Sequence, residues 1–460
     1  MTTHDSPPDL TNLHAALEAW ASMQLTAPDL ATAEHLAQLV GRQVTTWLFT
    51  QLVAQWGAQV GYLGAHLPCP CGRKARFVGY RERWVHSRAG EGRVRRAYYH
   101  CAACQTGQFP WDQAQGLTER VWTPEVKALV SECCAQLSYR EAATFLGRHC
   151  HLPLAASSLE AVVVEVGARL RAEEEAQITA VCAEARPISP LDPAEPLPDT
   201  IQERLYVSQD AAKAHTGGEW HDVKVGVLYT GKPRPTPSTP ASPETRPAVP
   251  LDGVEASRYL AVQEPAERFG QRLYTRAVAS GCDRAREVVV LGDGAAWIWG
   301  LAQAHFGGCT EILDYYHACE HVWALSRSLY GVENRAGQRW AQRHCSTLKT
   351  QGPQPLLRAL RRRRTRTPAA ALALQQALGY FTGHRRRMNY PAYQQRGLMI
   401  GSGPVEAACK VVVGQRLKQA GMRWSVAGAD AMLAVRTTVL NRQYARLARN
   451  ARPASPHLLC

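Results

Sequence analysis

No stretch of this 460-residue chain stays apolar long enough to cross a bilayer as a helix. The nearest candidate, LVGRQVTTWLFTQLVAQWG, is broken by Arg42 and several polar side chains, which excludes the roughly 20-residue apolar span a membrane helix needs. The opening MTTHDSPPDL also lacks the basic and apolar regions of a secretory signal, so reduced thiols in a cytoplasm are expected. The 14 cysteines are accordingly not read as a disulfide scaffold, because they are spread over a long chain. Acidic side chains are in deficit: 39 Asp and Glu face 53 Lys and Arg, a formal charge of +14. Such an excess favours a polyanionic partner, most simply nucleic acid, although a basic ribosome-binding or membrane-surface protein would share it.

A chain of this length can bury a substantial core divided among roughly two to four domains. Residues 1–64 predict helices whose broad apolar face carries Leu36, Leu39, Val40, Val44, Trp47, Leu48 and Leu52. These are expected to dock as a structural prop, with packing on a second subunit as the alternative. Residues 65–115 hold two close cysteine pairs, Cys69-x-Cys71 and Cys101-x-x-Cys104, around an alternating, turn-punctuated meander. Four thiolates in two pairs can close a tetrahedral zinc site, and a ribbon this small needs such a staple. The meander is also rich in arginine (Arg73, Arg76, Arg81, Arg83, Arg93, Arg95, Arg96), which suits phosphate contact.

Residues 116–185 read as helices. Thr123 is a candidate N-cap ahead of Pro124, and Ser138 with Glu141 has capping-box spacing. A short helix, a tight turn and a second helix opening on Ser157, Ser158 and Glu160 follow helix-turn-helix grammar, which an ordinary helical hairpin shares. The Pro-rich segment 186–199 marks a boundary. Strands are then expected at ERLYVSQD, ending on Asp210, at EWHDVKVGVLYTG, SRYLAVQE and EVVVL, and at CTEILDYYH, with a helix at PAERFGQRLYTRAVASG. The Pro/Thr/Ser-rich stretch 232–250 is read as a disordered hairpin insert. Residues 318–400 are helical and strongly basic, 401–446 return as helices, and 447–460 read as a frayed tail.

Strand-strand-strand-helix-strand-helix-strand resembles the order of a ribonuclease-H-like α/β fold. There the first and fourth strands are neighbours, which puts Asp210 and Asp293 roughly 5 Å apart across the ladder. Gly292 and Gly294 flank Asp293, so its carboxylate ends a buried strand where open α/β sheets place their ligands. Glu406, near the start of a helix after a Gly-Ser-Gly turn, is the third candidate. Three carboxylates can hold two hard divalent ions, Mg²⁺ or Mn²⁺, against a phosphodiester. Asp314 is a rival for the second position, but it sits one strand further off, roughly 10 Å from Asp210. Asp314 and His317 are instead read as a hydrogen-bonded pair anchoring the fifth strand to the helical insertion. Lys410, Arg416, Lys418 and Arg423 are candidates for tracking phosphates, and Trp424 for stacking on an unpaired base. Arg361, Arg362, Arg363 and Arg364, with residues 385–387, suit salt-sensitive contact to a DNA backbone.

The blocks LYVSQD, GEWHDVKVGVLY, LGDGAAWIWGLAQAHF, ILDYYHACEH and GSGPVEAACKVVVGQRLKQAGMRWS resemble, in order and spacing, the motif series of bacterial insertion-sequence DDE transposases of the Kra type. The likeness runs over roughly 65–445. It differs at Ala211, where the family tends to have Gly, and at the CxC pair, where it tends to have CxxC. The resemblance implies that Asp210, Asp293 and Glu406 are the catalytic acids holding two Mg²⁺ or Mn²⁺ ions. It further implies that 318–400 is an all-α insertion and that Asp314 and His317 form a D-x-x-H signature. The implied partners are double-stranded transposon ends and target DNA, met by a homodimer or larger assembly in the bacterial cytoplasm, at the nucleoid. A catalytically inactive DNA-binding derivative and a structure-selective nuclease of the same fold are the alternatives.

Overall fold

A computed structural model of the chain describes residues 15, 17–19, 21–22, 29–59, 62–115, 117, 121–184, 204–231 and 254–452. The expected boundary at 186–199, the insert at 232–250 and the tail from 453 lie outside the described residues. The chain forms two compact units, Met1–Val126 with Arg452–Cys460, and Lys127–Ala451. The helices expected as a separate domain over 116–185 thus largely belong to the unit that carries the larger sheet. Among the described residues, no helix is long and apolar enough to cross a membrane.

In the first unit, α1 (Leu30–Gln59) precedes four antiparallel strands paired in sequence order: β1 (His66–Pro68), β2 (Lys74–Ser87), β3 (Gly90–Cys101) and β4 (Thr106–Gln108). The face of α1 that packs is only partly the one its apolar spacing suggests: Leu36, Val40 and Val44 are half-buried. Thr46 and Phe49 lie against Gly90 and Gly92, where a Cβ would come within 2.5 Å of the Thr46 hydroxyl and 3.1 Å of the Phe49 ring. The Thr46 and Thr50 hydroxyls donate to the Ala89 and Glu91 carbonyls. Two glycines therefore create the groove, and small or flat side chains fill it. Leu39, Trp47, Leu48 and Leu52, expected to be buried, remain exposed. Two of the meander arginines are structural: Arg83 and Arg96 each reach the buried Asp112 at 2.7 Å. Asp112 belongs to the short α2 (Pro110–Ala114).

The second unit opens with α3 (Pro124–Gln136), α4 (Tyr139–His149) and α5 (Ala156–Glu184). The Ser138–Glu141 capping box is complete. Leu159, Val162, Val163, Val166 and Leu170 of α5 are fully buried. A Cβ on Gly167 would meet the Ala431 backbone at 2.5 Å, so most of α5 is a core helix and only its first turn resembles an exposed reading head. The five-stranded sheet has the order β7-β6-β5-β8-β9, from β5 (Arg204–Thr216), β6 (Glu219–Gly231), β7 (Val254–Val262), β8 (Glu287–Gly292) and β9 (Thr310–Leu313). β5, β6 and β7 pair antiparallel, whereas β8 and β9 join in parallel. Leu205 to Gln209 are all buried without exposure, as a central strand covered on both faces requires.

Helix α6 (Ala266–Ala279) lays Phe269 and Leu273 over Gly226 of β6, and α7 (Ala296–His305) follows β8. Next come α8 (Tyr315–Tyr330), α9 (Arg335–Gln351), α10 (Gln354–Arg362), α11 (Pro368–Gly383) and α12 (Tyr390–Gln395). This is the all-helical block expected between the fifth strand and Glu406. Residues 315–317, read as the end of a strand, instead form the first turn of α8 because Asp314 caps it. α13 (Gly403–Ala408) carries Glu406 and continues into a π-helical turn, Cys409–Gly414. Finally α14 (Val426–Leu440) packs on α5 and β7, and α15 (Tyr444–Ala451) closes the unit.

Candidate active site and metal centre

The parallel ladder between β5 and β8 ends at Ser208 and Leu291. Asp210 and Asp293 each lie two residues beyond that last pair, so the register brings them side by side. β5 does not stop at Asp210, as its sequence suggested, but continues paired with β6 to Thr216. β8 does stop, and with its departure β5 loses its ladder partner on that side after Ser208. The departure depends on Gly294, whose φ of 105° suits a residue without a side chain, and a Cβ there would crowd Leu313 and Tyr380 at 3.1 Å. The Ala295 N–H donates to Asp293 Oδ1 at 2.9 Å and fixes the carboxylate in a tight turn. Tyr380 of α11 donates its hydroxyl to the Asp293 carbonyl.

Asp210 Oδ1 accepts from the Ala211 N–H at 2.7 Å, and Oδ2 lies 3.6 Å from the Cys409 sulfur. Burial pushes the Asp210 carboxyl above its ordinary range; the charge of Asp293 adds to this, while Ala211, Cys409 and His317 oppose it. A buried carboxylate whose charge is disfavoured by a second carboxylate nearby can be stabilised by a bound cation. Glu406 reaches the same neighbourhood from α13. Its Oε1 faces the Ser402 hydroxyl at 3.5 Å, and its charge acts on Cys409. Among the described residues, the group of three or more donor atoms within 4.8 Å of one another is that of the ribbon cysteines, and it does not include these acids. Hard oxygen donors of this kind suit Mg²⁺ or Mn²⁺, and a pair of ions about 3.5–4 Å apart spans more than one coordination sphere.

Asp314 is fully buried and turned away from cation duty by its own hydrogen bonds. Its carboxylate accepts from the backbone N–H groups of His317 and Ser402. Its own N–H donates to Gly292, and that of Tyr315 to Ile400. Asp314 thus joins the end of β9 to the turn that launches Glu406. Gly401 permits this, since a Cβ there would strike the Tyr316 ring at 2.8 Å. The His317 ring is not bonded to Asp314 but faces Glu320 at 3.2 Å, close enough for its charge to act on Asp210. Beside it His321 stacks on Tyr380 at 3.7 Å. Burial, helped by the neighbouring His317 and His384, holds His321 down to about 4. This histidine cluster was missed in the sequence; the His317-x-x-x-His321 spacing on one helix face was the available signal.

Two residues assigned to nucleic acid are placed elsewhere. Arg416 has no exposed surface: its Nε donates to the Cys134 carbonyl at 2.7 Å, and its guanidinium lies over the rings of Tyr139 and Trp424. Trp424 is itself buried and donates to the Leu417 carbonyl. Both are core, because the chain after the π-helical turn folds back on α3 and α4 instead of continuing as a surface helix. Lys410, Lys418 and Arg423 are exposed. Of the arginine run, Arg361, Arg362 and Arg364 are exposed, whereas half-buried Arg363 lies over the Tyr330 ring. Arg387 pairs with Glu311 and covers Trp299.

In the first unit, the four cysteine sulfurs converge, with Cys69 3.5 Å from Cys104 and Cys71 3.7 Å from Cys101. Tetrahedral zinc with bonds of about 2.3 Å sets its sulfurs about 3.8 Å apart, so this cluster can hold a zinc ion. The Thr106 hydroxyl and N–H hold the Cys104 thiol down to about 6, while, against the Arg73 N–H, the surrounding thiols push Cys71 up to about 12. The tight CxC pair works because Gly72, at φ 80°, turns the chain immediately after Cys71. A comparison with protein-family models finds no match for the chain, and a comparison with curated proteins finds none either.

Proposed function

We propose that this chain is a metal-dependent DDE transposase of an insertion sequence, built on a ribonuclease-H-like core. The observation that carries the reading is the pairing of Asp210 and Asp293 on adjacent parallel strands, with Glu406 delivered from α13. The sheet order, three antiparallel strands followed by two parallel ones, supports the same fold. The motif resemblance described above supports the family. Two divalent ions bound there would activate the attacking water or 3′-hydroxyl and stabilise the leaving oxygen.

The chain's own contribution is positional. Ala211 and Cys409 orient the Asp210 carboxylate, Ala295 orients that of Asp293, and Asp314 fixes the turn from which Glu406 emerges. Lys410, Lys418 and Arg423, with exposed arginines of the helical block, would neutralise phosphates of transposon ends and target DNA. Joining two ends to one target calls for a dimer or larger assembly on DNA, at the nucleoid. The zinc-ribbon unit and the exposed first turn of α5 are the candidates for recognising terminal inverted repeats.

The test separates binding from chemistry. Purified protein with Mg²⁺ or Mn²⁺ should cleave DNA carrying the element's ends and join the freed 3′-hydroxyl to target. Asp293→Asn should bind the same DNA and do neither. Binding without cleavage by the natural chain would favour an inactive DNA-binding derivative. Cutting of branched DNA irrespective of end sequence would favour a structure-selective nuclease.

A further inference from the structure

The strand that carries Asp210 runs on to a hairpin tip with an unusual surface. Gly217 and Gly218, at φ 61° and 95°, make a two-residue turn between Thr216 and Glu219. The Gly217 N–H donates to the Trp424 carbonyl at 2.8 Å, so the tip is tied to the segment 418–424. Between the two lies an open depression of about 540 Å³, lined among others by His215, Trp220, Lys418, Met422 and Arg423. Trp220 is 62% exposed, and its ring meets His215 edge to face at 5.6 Å. None of the residues lining the depression carries a carboxylate.

We propose that this depression binds unpaired nucleotides of a DNA strand, with a base stacked on Trp220 and flanking phosphates on Lys418 and Arg423. The claim rests on the transposase reading for its context but concerns a different surface from the three acids. The chemistry is specific to an unpaired base. An exposed indole offers a flat π-face beside two cations, the combination by which single strands are held without sequence choice. A base inside a duplex has both faces covered by its neighbours, so the same indole gains nothing there. Trp220 takes the stacking role that Trp424 cannot fill, since Trp424 is buried beneath Arg416. The absence of acids from the lining argues against a basic peptide as occupant.

The full-length, zinc-loaded chain, without added Mg²⁺ or Mn²⁺, tests this by anisotropy with three labelled probes: a single-stranded thymidine oligonucleotide, the same length of abasic phosphodiester, and a blunt duplex. Trp220→Ala should weaken the thymidine oligonucleotide roughly tenfold, while Trp220→Phe retains most of the affinity. Abasic and duplex binding should be unchanged by either. Lys418→Gln with Arg423→Gln should weaken thymidine and abasic strands alike and lower the single-strand salt slope by about 1.4. Equal thymidine affinity in Trp220→Ala and the natural chain overturns the proposal, as does an equal loss on the abasic strand. So does a change of sedimentation in Trp220→Ala without loss of oligonucleotide binding, which would make the patch a contact between copies. An unaltered melting temperature confirms that the variant folds. Because no Mg²⁺ or Mn²⁺ is present, this result is independent of whether Asp293→Asn abolishes cleavage.

Discussion

The sulfur of Cys409 lies 3.6 Å from Oδ2 of Asp210, joining the π-helical turn after Glu406 to the central strand. The thiol is half-buried, and that burial raises its pKa, with the charges of Asp210 and Glu406 adding to the effect. It therefore stays protonated and donates to the acid. Extra residues in a helix that form a π-turn often mark a side chain re-aimed for function, and here the turn begins at the residue facing the acid. Cys409→Ser keeps a donor and should leave Mn²⁺ affinity within about threefold. Cys409→Val removes the hydrogen bond to the charged form, worth about 1 kcal/mol, and should weaken Mn²⁺ about fivefold by calorimetry. Equal affinities in the two variants would assign the thiol no part in orienting Asp210.

Asp210 should cost stability when no cation is bound. The folded pKa of Asp210 is raised above its ordinary 3.8 by burial, reinforced by Asp293. For an acid shifted in that direction, the charged form is the unfavourable one, and the penalty is present at neutral pH and relieved as pH falls through the raised value. Without added Mg²⁺ or Mn²⁺, zinc-loaded Asp210→Asn should accordingly melt at the same temperature as the natural chain or higher, by the equivalent of about 1 kcal/mol at pH 7. The gain should shrink toward pH 4. Saturating Mn²⁺ should then stabilise the natural chain, by about 2.7 kcal/mol at a hundredfold excess over Kd, and leave the variant unmoved. A variant that melts well below the natural chain without added Mg²⁺ or Mn²⁺ would mean that Asp210 is a structural group.

Much of this arrangement was legible in the sequence, because strand period and glycine placement are local signals. EVVVL followed by Gly-Asp-Gly specifies a buried strand and an abrupt exit, and the observed β8 ends at Gly292. The capping box at Ser138 follows from two residues three apart. What the sequence concealed was tertiary. Basic residues at helical spacing look alike on a surface and in a core, and only the fold-back after Gly414 reveals that Arg416 lies between Tyr139 and Trp424. The same holds for α1, whose packed face is chosen by Gly90 and Gly92 on another element. Trp220 went unnoticed because a tryptophan in a strand pattern is read as core, and its position beside a two-glycine turn becomes telling only once the hairpin is seen to project.

The ribbon cysteines predict a metal-dependent fold for the hairpin they close. β1 and β4 are three residues each, too short to stand without a staple. The purified chain should carry one equivalent of zinc by elemental analysis. Cys101→Ser, which removes a fully buried ligand, should lose it and expose the ribbon to proteolysis between residues 66 and 108. The larger unit should remain folded and keep its Mn²⁺-dependent stabilisation. Full zinc retention in Cys101→Ser would rule out the four-sulfur site.

Glu174 should govern acid stability of the larger unit. It is buried among Arg171, Arg272, Arg276 and Arg446, at 2.8, 3.3, 2.8 and 3.4 Å. Burial alone would push its carboxyl up, but the arginines Arg171, Arg446 and Arg276 prevail and hold it far below the ordinary 4.5. A depressed acid contributes stability that is complete above its unfolded value and is lost as pH falls from about 4.5 through the folded one. Glu174→Gln removes the buried carboxylate shared by four guanidinium groups, three of them buried and that of Arg276 half-buried. Even with Asp430, Glu264, Glu175 and Glu173 still pairing with Arg171, Arg272 and Arg446, the loss should cost about 3 kcal/mol at pH 7. The cost must also depend on acidity: urea denaturation should show the gap between the two proteins narrowing steadily below pH 4.5, because only the natural chain has this contribution to lose. A gap that stays constant from pH 7 to pH 3 would show that Glu174 acts by shape and packing instead of by charge.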